Sequence, residues 1–106
     1  MASKEKLYER RLRRRLDDQL KSDIKTLFES RRSEIPIEVE IDWHPREPIL
    51  SLRGPMGVTI YAHFLEPVEK LEVFAEYGFA ARMFVTDRHR AKARDVIHEI
   101  AEDLEL

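Results

Sequence analysis

Apolar residues recur along the first third of the chain at steps near 3.6: Leu7, Leu12, Leu16, Leu20, Ile24, Leu27 and Phe28. That spacing predicts an amphipathic helix, with Ser3 as its cap and Glu5 in its first turn. Around such a helix Leu12, Leu16, Leu20, Ile24 and Leu27 share one arc. Arg10, Arg11, Arg14 and Arg15 fall opposite, with Lys21, Lys25 and Arg32. Arg13 alone of the run lies on the apolar side, one turn after Glu9 and one before Asp17. Pro36 pushes the residue before it out of the helical region, so the helix is predicted over residues 4–33.

The period then changes. Ile35, Ile37, Val39, Ile41 and Trp43 alternate with Glu38, Glu40, Asp42 and His44, the pattern of a half-buried strand with Trp43 closing the core at its end. His44-Pro45-Arg46-Glu47-Pro48 separates it from a second strand over 49–53. Gly54-Pro55-Met56-Gly57, a hairpin turn with no following lysine or serine to make a phosphate cradle, separates that from a third over 58–65. Two short connections predict a three-stranded antiparallel meander. Residues 66–78 fit two patterns. Pro67, Val68, Leu71, Phe74, Ala75 and a stop at Gly78 fit a helix, whereas Leu71, Val73, Ala75 and Tyr77 alternate. The two terminal signals favour the helix. A fourth strand over Phe79–Thr86 and a helix capped by Thr86 or Asp87 and reaching about Leu104 complete the order α-β-β-β-α-β-α. This is a single α+β domain with helices on one face of the sheet.

With 42% apolar and 38% charged residues, the chain reads as folded and heavily charged. The absence of cysteine excludes disulfides, thiolate metal sites and cysteine nucleophiles. No apolar run approaches the ~18 residues of a membrane span, and MASKEKLYERR holds no apolar signal core, so a cytoplasmic protein without membrane contact is expected. Charge is divided unevenly. Residues 1–33 hold eleven Lys/Arg against six Asp/Glu, and the remainder holds eight against fifteen. A basic arm is joined to an acidic body.

A helix over residues 4–33 would be ~45 Å long, whereas a globule of this size is roughly 33 Å across. Residues 1–15 are therefore expected to project as a basic helical segment. Three isolated turns are marginal in water, so another molecule should hold them. Leu7, Tyr8 and Leu12 would pack on a protein partner or a second copy, with Arg10, Arg11, Arg14 and Arg15 at the rim. The function expected is a non-enzymatic interaction module: a regulator, inhibitor or assembly factor. The runner-up places the same arginines on a nucleic-acid backbone. Against it stand Asp17, Asp18 and Asp23 in the same helix.

A third reading uses the polar face of the meander, where alternation gathers Glu40, Arg53, Tyr61 and His63. Such a set suits anion binding or acid-base work, although cross-strand charge pairing produces the same pattern. On the last helix Asp95, His98 and Glu102 follow the i, i+3, i+7 spacing of metal ligands, on the side a charged helix leaves wet. Residues 77–85, YGFAARMFV, combine aromatics and glycine as base-stacking strands do, but no β-α-β unit precedes them, so Phe79, Met83 and Val85 are expected in the core. No catalytic residue, metal or cofactor is expected.

Overall fold

The computed structural model describes residues 3–31, 33, 40–54, 57–65, 68–78, 81, 83 and 85–106. Among them the element order is β-α-β-β-β-β-α: β1 (Ser3–Arg11), α1 (Asp18–Ser30), β2 (Glu40–Trp43), β3 (Ile49–Arg53), β4 (Val58–Leu65), β5 (Lys70–Tyr77) and α2 (Asp87–Asp103). The strands form one antiparallel sheet in the order β1-β5-β4-β3-β2. The chain thus leaves one edge through α1, enters at the other, and returns strand by strand until β5 meets β1.

The long N-terminal helix is corrected to a strand, a break and a shorter helix. β1 pairs with β5, and a bulge between Lys6 and Tyr8 shifts the register. Before the bulge Glu5 faces the same side as Ala75; after it Tyr8 and Arg10 face the side of Val73 and Leu71. A bulge admits one extra residue, so Leu7 and Tyr8 both turn toward the helices and strict alternation is lost. As a strand this segment buries Leu7 to 5% and the following Leu12 to 8% exposure, and gives β5 a second neighbour. The largest extent of the molecule is 37 Å, too short for a ~45 Å rod.

Asp17 marks the break. Its carboxylate accepts from the Leu20 amide at 2.8 Å, capping α1 where Asp18 also favours the positive end of the helix dipole. Leu20 and Ile24 are buried one turn apart, with Leu27 and Phe28 packed against the same core. The Arg31 amide closes the helix on the Leu27 carbonyl, ahead of the expected end near Ser33.

Two further expectations are corrected. Residues 70–77 form a strand, not a helix, in which Leu71, Val73, Ala75 and Tyr77 are buried and their neighbours are not. The fourth strand over 79–86 is absent from its described part. Ala81 and Met83 are helical, and the Val85 amide donates to the Ala81 carbonyl at 2.9 Å. Phe79, Ala80, Arg82 and Phe84 lie outside the described residues, as does the Ile35–Val39 part of the strand expected before Trp43. Val85 packs against the core, and Met83 is 75% exposed.

β2, β3 and β4 are joined by turns that short-range chemistry sets. His44 Nδ1 accepts from the amides of Arg46 and Glu47, both at 3.0 Å, and folds the first turn back. Gly57 holds φ +77° in the second, and a Cβ on it would sit 3.3 Å from Gly78 Cα. Thr86 caps α2 reciprocally with His89, whose Nδ1 takes the Thr86 amide. Both helices pack on the face that carries Leu50, Phe64, Leu71 and Val73, with Ile100, Ala101 and Leu104 contributed by α2 and its cap. Trp43 lies over Phe64, ring centroids 5.8 Å apart.

Candidate functional site

The arginine run is used inside the molecule. Arg10 pairs with Glu102 at 3.2 Å and reaches the Tyr8 hydroxyl at 3.4 Å. The Arg13 amide donates to the Leu106 carbonyl at 2.8 Å, and its guanidinium lies 3.6 Å from Glu102. Arg14 donates to the Leu104 carbonyl at 2.9 Å and to Asp23 at 3.0 Å. Glu102 and the Leu104 and Leu106 carbonyls lie at the end of α2, where free carbonyls and the negative pole of the helix dipole favour cations. The Arg14 and Gln19 side chains together hold the Asp23 carboxyl below its ordinary range, the Gln19 hydrogen bond contributing most.

The segment expected to project and dock a partner therefore docks on its own body. Leu7 and Leu12 are core residues, Tyr8 is bonded to His98 Nδ1 at 2.8 Å, and Arg10 and Arg14 are committed to α2 and α1. Of the seven residues, Arg11 and Arg15 alone are exposed without a side-chain hydrogen bond or ion pair among the described residues.

The polar sheet face is different. The helices cover one side of the sheet, and among the described residues nothing packs on the other. Register arranges that side in rows. One row runs Lys6, Phe74, Tyr61, Ser51, Asp42 from β1 to β2, and the next runs Lys4, Glu76, Thr59, Arg53, Glu40. A third holds Glu9, Glu72, His63 and Ile49. The four residues expected there are thus on one face but in three rows. Arg53 joins Glu40 at 3.5 Å and also pairs with Asp42, whereas Tyr61 and His63 sit at the centre on β4.

Around that centre the contacts are aromatic. His63 meets Phe74 edge-on at 5.2 Å, and the Lys4 ammonium lies 4.8 Å from the Tyr61 ring and 5.8 Å from that of Phe74. Burial, then the Lys4 charge, push the His63 imidazole below its ordinary 6.5, against the opposing pull of Glu72 and Glu47. Its Nε2 is buried with no hydrogen-bond partner among the described residues. Beside the aromatics a shallow depression of about 240 Å³ opens between Asp42, Ser51, Arg53, Thr59 and Tyr61, with Trp43 and His44 at its end. Lys4, Phe74 and Glu76 were missing from the expected site because residues 66–78 read as a helix and the N-terminus as another. The alternation of Leu71, Val73, Ala75 and Tyr77 was the signal that places Phe74 on this face.

The other candidate chemistry is structural. Asp95, His98 and Glu102 do not form a metal site, and no group of three ligating side chains exists among the described residues. His98 instead ties α2 to Tyr8. No helix among the described residues is long and apolar enough to cross a membrane. No protein-family model, no curated protein and no solved structure matches this chain.

Proposed function

We propose that the chain is a small non-enzymatic protein-interaction module that binds through the face of its sheet opposite the two helices. The observation that carries this is the layout of the face, in which half-buried Tyr61, His63 and Phe74 are ringed by charges of both signs. Protein interfaces combine an aromatic centre with a polar rim in this way. The charge balance speaks against a polyanion as the ligand. Lys4, Lys6, Arg11, Arg53 and Lys70 share the face with Glu9, Glu40, Asp42, Glu72 and Glu76, so a phosphate backbone laid across it meets as many carboxylates as cations. For acid-base work the Nε2 of His63 is closed to a substrate by its burial.

Hydroxyl-radical footprinting of the full chain tests the reading, in concentrated pure protein and in extract of the cells that make it. Tyr61 and Phe74 should react less than their exposure in the monomer dictates in at least one of the two, and nuclease treatment should leave that protection intact. Reactivity in proportion to monomer exposure in both settings would overturn the proposal. So would protection that disappears with nuclease, which would favour nucleic acid.

A further inference from the structure

Resting on that reading, we infer that the occupant of the face is a second copy of this chain, stacked sheet on sheet about a two-fold axis that runs along β4. β4 is the middle strand of the five. A residue on a two-fold axis meets itself, so a fixed charge there repels its own copy. The outward residues of β4 are Thr59, Tyr61, His63 and Leu65, and none carries a fixed charge. Every other strand bears fixed charge on this face: Lys4, Lys6, Glu9 and Arg11 on β1, Lys70, Glu72 and Glu76 on β5, Arg53 on β3, and Glu40 and Asp42 on β2.

The same axis exchanges the two sides of each row. It lays β1 of one copy over β2 of the other and β5 over β3. In the first row Lys6 then faces Asp42 of the second copy, and Phe74 faces Ser51, a large ring over the small residue in the floor of the depression. In the next row the Lys4 backbone position lies over Glu40, which its ammonium reaches by swinging outward from the Tyr61 ring it covers in the single copy, and Glu76 faces Arg53. All three charged pairs are opposite in sign. An axis across the strands instead would bring Lys6 to Glu9 and Glu76 to Lys70, but at the cost of setting Lys4 near Arg11, a like-charge pair that the axis along β4 does not create in these two rows. Packed sheets are rotated by about 30°, which displaces residues ~10 Å from the axis by roughly 5 Å, within reach of lysine and glutamate side chains. Five strands at ~4.8 Å and about six residues each at ~3.3 Å give a face of roughly 500 Å² in projection. Side-chain relief brings this to the ~600 Å² per partner at the lower end of stable interfaces.

Charge reversal in complementary pairs tests both the occupant and the axis. By sedimentation equilibrium the wild-type chain should be a dimer at micromolar concentration. Lys4→Glu and Glu40→Lys should each weaken self-association about tenfold, since each sets two like-charge pairs across the axis. Mixing the two variants should restore wild-type affinity, because the mixed dimer regains both pairs, one as in the wild type and one with its sign inverted. Glu76→Arg and Arg53→Glu form a second, independent pair with the same expectation. Circular dichroism confirms that each variant is folded, and restoration on mixing excludes loss of fold as the cause. A chain that stays monomeric throughout the concentration range overturns the inference. A dimer indifferent to all four substitutions overturns it too. Monomeric pure protein with Tyr61 and Phe74 protected only in extract would remove the second copy while leaving the interaction face standing.

Discussion

Arg14 has a role that its neighbours Arg11 and Arg15 lack. Its hydrogen bond to the Leu104 carbonyl satisfies an acceptor that α2 leaves free at its end. Arg14→Ala should lower unfolding free energy by about 1 kcal/mol. Arg11→Ala and Arg15→Ala should stay within about 0.5 kcal/mol of wild type, all three read from urea denaturation. His63 gives a pH signature. With its folded-state value depressed, the unfolded chain binds the proton more readily, so the stability it contributes is whole above its ordinary 6.5 and declines as pH falls from there toward the lowered value. Burial and then the Lys4 charge set this shift, and Glu72 and Glu47 oppose it. Proton NMR should place the His63 midpoint below 6.5, and His63→Phe should remove that slope from the stability profile. A midpoint at or above 6.5 would contradict the burial described.

The start of α2 and the two short turns were legible in the sequence, whereas the elements that depend on distant pairing were not, and with β1 unread the cap at Asp17 was passed over. Thr86 caps α2 at the position its side chain dictates. The turns at His44–Pro48 and Gly54–Gly57 are set by His44 and by glycine within a few residues. Gly57→Ala should therefore cost about 1 kcal/mol or more in thermal or urea melts, from its positive φ and the contact with Gly78. β1 was hidden because its bulge places Leu7 and Tyr8 on one side in succession. It also places Arg10 inward, its side chain only 14% exposed over a stem that packs like an apolar residue. β5 supported both periods, and the choice between them lies in β1 and β4, which flank it. Strand preference of this kind is decided by neighbours across the sheet, which no local window contains. The polar face was legible for Glu40, Arg53, Tyr61 and His63, since alternation within the meander suffices, and illegible for Phe74 for the same reason that β5 was.

At the scale of the molecule, the basic first third is folded onto acidic side chains of α2. Arg10 and Arg13 meet Glu102, and Arg31 meets Glu99 and Asp103. The return tie is Arg90 to Glu5 at 2.9 Å. The charge asymmetry of the sequence thus becomes internal attraction, with Leu7 and Tyr8 adding buried surface. Removing residues 1–11 should accordingly abolish cooperative unfolding, because it strips β5 of a strand and opens the cluster of Leu7, Ala75, Tyr77 and Ala81. A sharp thermal transition by circular dichroism in a chain of residues 12–106 would show that β1 is dispensable.

The sequence contains a single tryptophan, and its indole meets both Phe64 of the sheet and the Lys21 ammonium of α1, the latter 5.0 Å from the ring. Fluorescence excited in that ring consequently reports the seating of one helix on one sheet, without any introduced dye. A red shift that precedes the loss of far-ultraviolet ellipticity would mean that α1 lifts away while the strands are still paired, giving a spectroscopic clock for the order in which the layers separate.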